Sequence, residues 1–163
     1  MAQIITSPSL DEAIFHPIVF LAGGISKCPD WQGKVIQELS SENITIINPR
    51  QDHFDITNKN NSVKQIEWEF NRLEQMDIFS MYFCNSESVQ PICMYELGRN
   101  IVRMQNRFPS DWENRIVISV EDGYSREDDV LIQVSLCAPK LIVETNADPI
   151  IHAKRIRVRK GVL

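Results

Sequence analysis

The feature that most constrains this chain is a regular alternation. Short runs of β-branched and aromatic residues, each closed by turn-forming residues, are separated by stretches whose apolar residues recur at helical spacing. The first run, Pro17-Ile-Val-Phe-Leu-Ala-Gly-Gly24, has the composition of a strand buried on both faces that ends in a tight turn. Asp30 then caps a helix over about 31–40, in which Trp31, Val35, Ile36 and Leu39 share a face. Residues 44–48 predict a second strand stopped by Pro49, and the Asn- and Asp-rich stretch 50–61 predicts a long loop. Ser62 is a candidate cap for the next helix, with Ile66, Phe70 and Leu73 as its core stripe and Gln65, Glu69, Arg72 and Met76 on the adjacent stripe. Residues 78–83 form the most apolar run and therefore a central strand. Pro91 then suits the first position of a helix whose core side carries Met94, Leu97, Ile101 and Met104. Further strands over 115–120 and 140–144 flank a helical segment over about 126–137, and Asp148 opens a last helical stretch. Strands alternating with helices of this length imply βαβ units. The expected fold class is α/β: a flavodoxin-like or Rossmann-like three-layer sandwich around a mainly parallel sheet of five strands.

The 163 residues suit one domain spanning 1–163, with a core over about 17–145 and a basic segment over 154–163. That segment, Lys154-Arg-Ile-Arg-Val-Arg-Lys160, reads as a solvated tail; a phosphate or a neighbouring subunit is the other possible contact. A net charge of -5 argues against a general nucleic-acid surface. Cys28, Cys84, Cys93 and Cys137 form no CxxC pair, which points to reduced thiols in a cytoplasmic protein. No apolar run approaches the length of a bilayer span, and no export signal is expected.

A carboxylate occupies an informative place. Glu96 lies in Pro91-Ile-Cys-Met-Tyr-Glu-Leu-Gly98, the helix start that follows the 78–83 run. Open parallel sheets bind ligands outside the carboxyl ends of their strands, and the loop after Phe83 leads from such an end. Spacing alone favours an ordinary solvated helix glutamate. Two carboxylates at one pocket can cleave a glycosidic bond, one as nucleophile and the other assisting proton transfer, and Glu96 with Glu69 is the best-placed pair. Other chemistries fit less well. Gly23-Gly24 lacks the GxGxxG spacing, and neither a GxxxxGK[ST] loop nor a GxSxG elbow occurs. His53 and His152 stand apart from any Cys/His cluster and read as surface or packed histidines, so no metal and no cofactor are expected.

Five segments, in order, carry a family likeness: Val19-Phe-Leu-Ala-Gly-Gly24, Ile47-Asn-Pro-Arg50, Gln65-Ile-Glu-Trp-Glu69, Met76-Asp-Ile78 and Tyr95-Glu-Leu-Gly98. Together with Gly123-Tyr-Ser-Arg126 and Asp129-Val130, the chain from about Ile18 to Val134 resembles the nucleoside 2-deoxyribosyltransferase superfamily, particularly its branch of small deoxyribosyltransferase-like proteins. The resemblance implies a flavodoxin-like fold and a nucleophilic Glu96 that attacks C1′ of a nucleoside to give a glycosyl-enzyme, which a second base or water then takes apart, so that deoxyribosyl transfer and N-glycosidic hydrolysis both stay open. It also implies that Glu69 aids protonation or orientation of the base; the family often has Asp there. A family Asp that binds sugar hydroxyls aligns with Glu87, Ser88 or Gln90, of which Glu87 is the named candidate. Ala22, Gly23 and Gly24 are expected to line the sugar and base pocket, where glycine lets backbone approach a ligand. Asn48 and Arg50 either contact base or phosphate or anchor a loop. Trp68 and Trp31 either stack a base or pack in the core. Tyr124 and Arg126 either close the pocket or reach across a subunit boundary, because relatives of this kind are homo-oligomers. Lys27, Arg50 or Arg126 would admit a 5′-phosphate. The expected partner is therefore a small-molecule nucleoside or nucleotide, with neither a membrane nor a nucleic acid involved. The alternative is a module of the same fold that binds or senses a nucleotide-like ligand without turning it over.

Overall fold

The computed structural model describes residues 1–52 and 57–163; His53 and the neighbouring Asp55 lie outside the described residues. Among the described residues the strands are β1 (Gln3–Thr6), β2 (Ile18–Gly23), β3 (Thr45–Asn48), β4 (Ile78–Phe83), β5 (Ile116–Val120) and β6 (Val143–Glu144). The helices are α1 (Trp31–Leu39), α2 (Lys59–Gln75), α3 (Pro91–Arg107), α4 (Glu127–Cys137) and α5 (Pro149–Lys160). The sheet order is β1-β3-β2-β4-β5-β6, and every neighbouring pair is parallel. Without β1 the order is that of a flavodoxin, so the α/β expectation holds. The sheet has six strands rather than five. β1 is too short and too polar at one end to announce itself, and it earns its place by pairing Gln3 to Thr6 in register with Thr45 to Asn48.

Side chains of the central strands alternate between two cores. Phe20 and Ala22 of β2 and Phe79, Met81 and Phe83 of β4 face the layer made by α2, α3 and α4, where they meet Leu73, Cys93, Leu97, Ile101 and Met104. Val19 and Leu21 of β2 and Ile78 and Tyr82 of β4 face α1 and α5, meeting Trp31, Val35, Leu39, Ala153 and Ile156. Both faces of β4 are fully buried, as its run of apolar residues, broken only by Ser80, requires. His152 is wholly buried on the α5 side, with Nε2 2.6 Å from Ser80 Oγ and Nδ1 2.7 Å from Ser119 Oγ. Those serines occupy inward positions of adjacent central strands, so His152 is a packed histidine.

Three elements differ from the sequence expectation. Helix α2 begins at Lys59, capped by Asn58 through the Asn60 amide, not at Ser62. Its inward face carries Trp68, Arg72 and Leu73, whereas Ile66 and Phe70 are 65% and 45% exposed. The reason is polar: Arg72 donates to the Ser9 and Asp11 carbonyls and Trp68 Nε1 donates to Ser9 O, so the helix turns this face toward the segment between β1 and β2. Phe70 instead lies beneath the Arg99 guanidinium of α3, 4.5 Å from its ring centroid. The strand expected over 140–144 shrinks to Val143 and Glu144. The basic run is helix rather than solvated tail: Arg157 and Lys160 both bond Glu42, and Ile156 is fully buried. No helix among the described residues is long and apolar enough to cross a membrane.

Candidate functional site

The chain passes from β2 to β3 on one side of the sheet and to β4 on the other. A crevice must therefore open where the carboxyl ends of β2 and β4 diverge. A cavity of about 230 Å3 lies there, lined by Ala22, Gly23 and Gly24 at the end of β2, by Ser26 and Pro49, by Ser88, Gln90 and Cys93 at the entry to α3, and by Glu69 and Glu96. It is slightly smaller than drug-sized sites, which run from roughly 300 Å3, and suits a small polar ligand.

The β2 turn is held tightly. Gly23 has φ +152°, and a Cβ there would overlap the Tyr82 carbonyl and the Trp31 ring. At Gly24 a Cβ would lie 2.6 Å from Gln90 Oε1, so the turn can approach the start of α3 only without a side chain. Trp31 Nε1 donates to Gly24 O at 2.9 Å. Arg50 donates to the carbonyls of Ile25, Cys28 and Pro29 and to Gln32 Oε1, while Asn48 Oδ1 accepts from the Arg50 amide. Of the readings open for Asn48, Arg50, Trp31 and Trp68, the geometry is that of loop anchors and packed rings. Each polar group named here ends on protein.

Glu69 projects from the inward side of α2. Its Oε1 accepts from Gln65 Nε2 at 2.6 Å, and the same amide nitrogen donates to Pro49 O, fixing the carboxylate against the cavity wall. Gln65 Oε1 in turn accepts from Ser7 Oγ and Gln51 Nε2. Glu96 reaches the cavity from the second turn of α3, one turn beyond Cys93. Burial, then the charge of Glu69, raises the Glu96 carboxyl to about 7, with Arg99 opposing. Burial likewise raises Glu69, with the Gln65 hydrogen bond opposing. Two acids are thus held in one small cavity, where the charge of Glu69 disfavours ionisation of Glu96.

Gln90 is the residue that sequence reasoning left unresolved. It is 4% exposed, stands at the cap of α3 in a left-handed conformation (φ 51°), and lines the cavity. Its Nε2 donates to Cys84 O at 2.7 Å, but its buried Oε1 has no hydrogen-bond partner among the described residues. Such an orphaned acceptor costs about 1–3 kcal/mol unless a ligand or water meets it. No local sequence signal marks it: a residue before proline is ordinarily extended, and the left-handed turn at Gln90 goes against that preference.

Other candidates are placed elsewhere. The Glu87 side chain is 83% exposed, 4.0 Å from Lys27 Nζ, and does not line the cavity. Tyr124 is buried, stacks on Phe83 and donates to Val89 O at 2.9 Å, bracing the loop before α3 from behind. Arg126 pairs with Asp129 beside a separate apolar groove of about 490 Å3 between α3 and α4, which holds neither cavity carboxylate. Among the described residues no three His, Cys, Asp or Glu side chains are grouped to hold a metal ion.

No curated protein matches the chain. One family model does, over residues 16–108, under the description nucleoside 2-deoxyribosyltransferase like. That span runs from two residues before β2 to the residue after α3, and so contains Gly23, Gly24, Glu69, Gln90 and Glu96.

Proposed function

The chain belongs to the nucleoside 2-deoxyribosyltransferase-like family, and from that premise we propose that it transfers a 2-deoxyribosyl group between bases through a covalent intermediate on Glu96. The observation that carries this reading is the pair Glu69 and Glu96 on one cavity at the switch point of the sheet, both with raised proton affinity. The ionised Glu96 oxygen attacks C1′ as the C1′–N bond to the base breaks, and the leaving base takes up a proton with the help of Glu69. A second base then attacks C1′ from the vacated side, expels Glu96 as carboxylate and restores the original anomeric configuration. Gln90 Oε1 accepts a hydrogen bond from a substrate hydroxyl or amino group, and the glycine turn Gly23-Gly24 leaves room for the ligand.

Incubation with a panel of 2′-deoxynucleosides and a second free base, followed by chromatography, tests the proposal. The expected result is a new nucleoside formed by the wild type and none by Glu96→Ala. A 2-fluoro-2-deoxyribosyl nucleoside should leave a sugar adduct on the peptide carrying Glu96. Tight binding without base exchange or release would leave only the ligand-binding reading. Exchange that survives Glu96→Ala would remove the nucleophile assignment.

A further inference from the structure

Glu69 is held by a side chain that does not itself line the cavity. Gln65, one turn earlier on α2, sits at the centre of four hydrogen bonds. Its Oε1 accepts from Ser7 Oγ and Gln51 Nε2, and its Nε2 donates to Pro49 O at 2.9 Å and to Glu69 Oε1 at 2.6 Å. Gln51 Nε2 also donates to Ser7 Oγ at 3.0 Å, and Ser7 is 5% exposed with its own amide bonded to Asn48 O. Donors on one side and acceptors on the other settle which way the Gln65 amide faces. Reversed, it would set its NH2 against the Gln51 NH2 and its oxygen against the Pro49 carbonyl and the carboxylate. The segments that follow β1 and β3 therefore converge, through Gln65, on one oxygen of Glu69.

Resting on the transfer reaction proposed above, we infer that Gln65 is a positioning residue for departure of the base: it keeps the Glu69 proton on Oε2 and stabilises the charge that remains on Oε1 once that proton has left. An oxygen that already accepts an N–H is the poorer site for a proton, so neutral Glu69 is protonated at Oε2. As Glu96 bonds C1′ and the C1′–N bond breaks, the electron pair goes to the base nitrogen, which takes the Oε2 proton. Glu69 becomes a carboxylate, and its bond from Gln65 becomes a charge-assisted one. When the second base attacks C1′, its ring N–H proton passes to Oε2 and Glu69 is neutral again. Burial raises Glu69, and the Gln65 hydrogen bond opposes that rise. Among the described residues, the titratable side chains that share the cavity with Glu69 are Cys93 and Glu96, both from α3; β2, Ser7, Pro49 and Gln51 bring only neutral groups to it.

The full chain, carrying 13C in its glutamate carboxyls and 15N in its side-chain amides, is titrated by NMR, with Glu69→Gln identifying the Glu69 signal. In the wild type the Gln65 Nε2 signal is expected to shift with the same midpoint as the Glu69 carboxyl. In Gln65→Met the Glu69 midpoint should rise, because the donor that favours its ionised form is gone. Base exchange by Gln65→Met should lose about tenfold in kcat with little change in KM, the worth of one hydrogen bond to a charged group. That loss should largely disappear for a 2-deoxyribosyl donor whose leaving group needs no proton, such as the fluoride. A wild-type Gln65 amide that ignores the Glu69 titration overturns the inference, whether or not Gln65→Met folds. So does an unmoved Glu69 midpoint in the folded variant, or a Gln65→Met kcat equal to that of the wild type. The titrations need no turnover: linked titrations without any base exchange would remove the proposed function and leave the placement of the Glu69 proton standing.

Discussion

Replacing Glu96 by Gln should change the pH dependence of stability in a way that reports directly on the cavity. The Glu96 carboxyl ordinarily titrates at 4.5 and is raised to about 7 in the folded protein. The folded state therefore holds a proton that the unfolded chain releases, and stability is lost as pH rises from 4.5 to about 7, then levels off. At about 1.4 kcal/mol per pH unit this amounts to about 3 kcal/mol. His152 acts with the opposite sign. Complete burial lowers it from 6.5 to about 3, so its contribution is present above 6.5 and is lost as pH falls toward 3. Between pH 4.5 and 6.5 the two slopes oppose each other and the wild type should change little on their account. Glu96→Gln removes one of them. Its stability relative to wild type should rise from near zero below pH 4.5 to about 3 kcal/mol above pH 7, because glutamine mimics the protonated acid. For a chain of this size, that corresponds to roughly 6–12 °C in the unfolding midpoint. Urea denaturation at pH 5, 6, 7 and 8, read by tryptophan fluorescence for both proteins, measures the difference; titrations common to the two cancel. A difference that stays flat across that range, or a variant less stable than wild type at pH 8, would refute the claim that Glu96 is desolvated beside a second carboxylate.

Four further outcomes follow from the same geometry. If the transfer reaction requires ionised Glu96, kcat/KM should climb with pH through about 7, and a rate independent of pH from 6 to 8 would contradict it. Gly23→Ala forces a Cβ onto the Tyr82 carbonyl and should cost about 2–4 kcal/mol in urea denaturation, whereas Gly98→Ala, whose Cβ meets nothing, should stabilise α3 slightly. Arg50→Met removes a donor from three loop carbonyls and from Gln32 Oε1, of which the Ile25 and Pro29 carbonyls keep a backbone donor, and should cost about 1–3 kcal/mol while raising KM, since the β2 turn forms the cavity wall. Gln90→Met removes the unpartnered acceptor together with the amide that bonds Cys84 O; a substrate hydrogen bond at Oε1 predicts a KM raised about tenfold, and an unchanged KM would place the ligand elsewhere.

What the chain discloses by itself follows the periodicity of its apolar residues. The runs that became β2 and β4 are buried on both faces, so nothing in them conflicts with local propensity and their positions read directly. Helix α1 was equally legible, because Asp30 caps it through the Gly33 amide and its buried residues repeat at helical spacing. Helix α2 was not. Its inward face is partly polar, with Gln65, Glu69 and Arg72 turned toward the β1–β2 segment and the cavity, while Ile66 and Phe70 sit outside. Reading apolar as inward rotated the helix away from the face that carries Glu69. Strand β1 escaped for a related reason: four residues with one buried side chain carry too little pattern to separate a strand from a tail, and only pairing with β3 decides it.

The candidate site shows why residue type identifies binding groups less well than hydrogen-bond accounting does. Arg50, Trp31, Trp68, Tyr124 and Asn48 have the side chains that grip nucleosides in many proteins, but here their donors and acceptors are engaged by backbone carbonyls, amides and a neighbouring glutamine. A ligand could recruit the bonded atoms named here only by breaking a contact that holds the wall in place, so the net gain from those atoms would be small. The groups with capacity to spare are different. Glu96 and Glu69 are desolvated acids whose ionised forms are under-solvated, and Gln90 presents a buried acceptor with no partner among the described residues. All three line one cavity at the switch point of the sheet. Each lowers the stability of the empty protein, and each is relieved by a ligand that offers hydrogen-bond donors there. The wall residues supply the rigidity that keeps this cost from being relaxed by local collapse, which is the physical condition for concentrating binding energy on a ligand in this cavity rather than losing it to rearrangement.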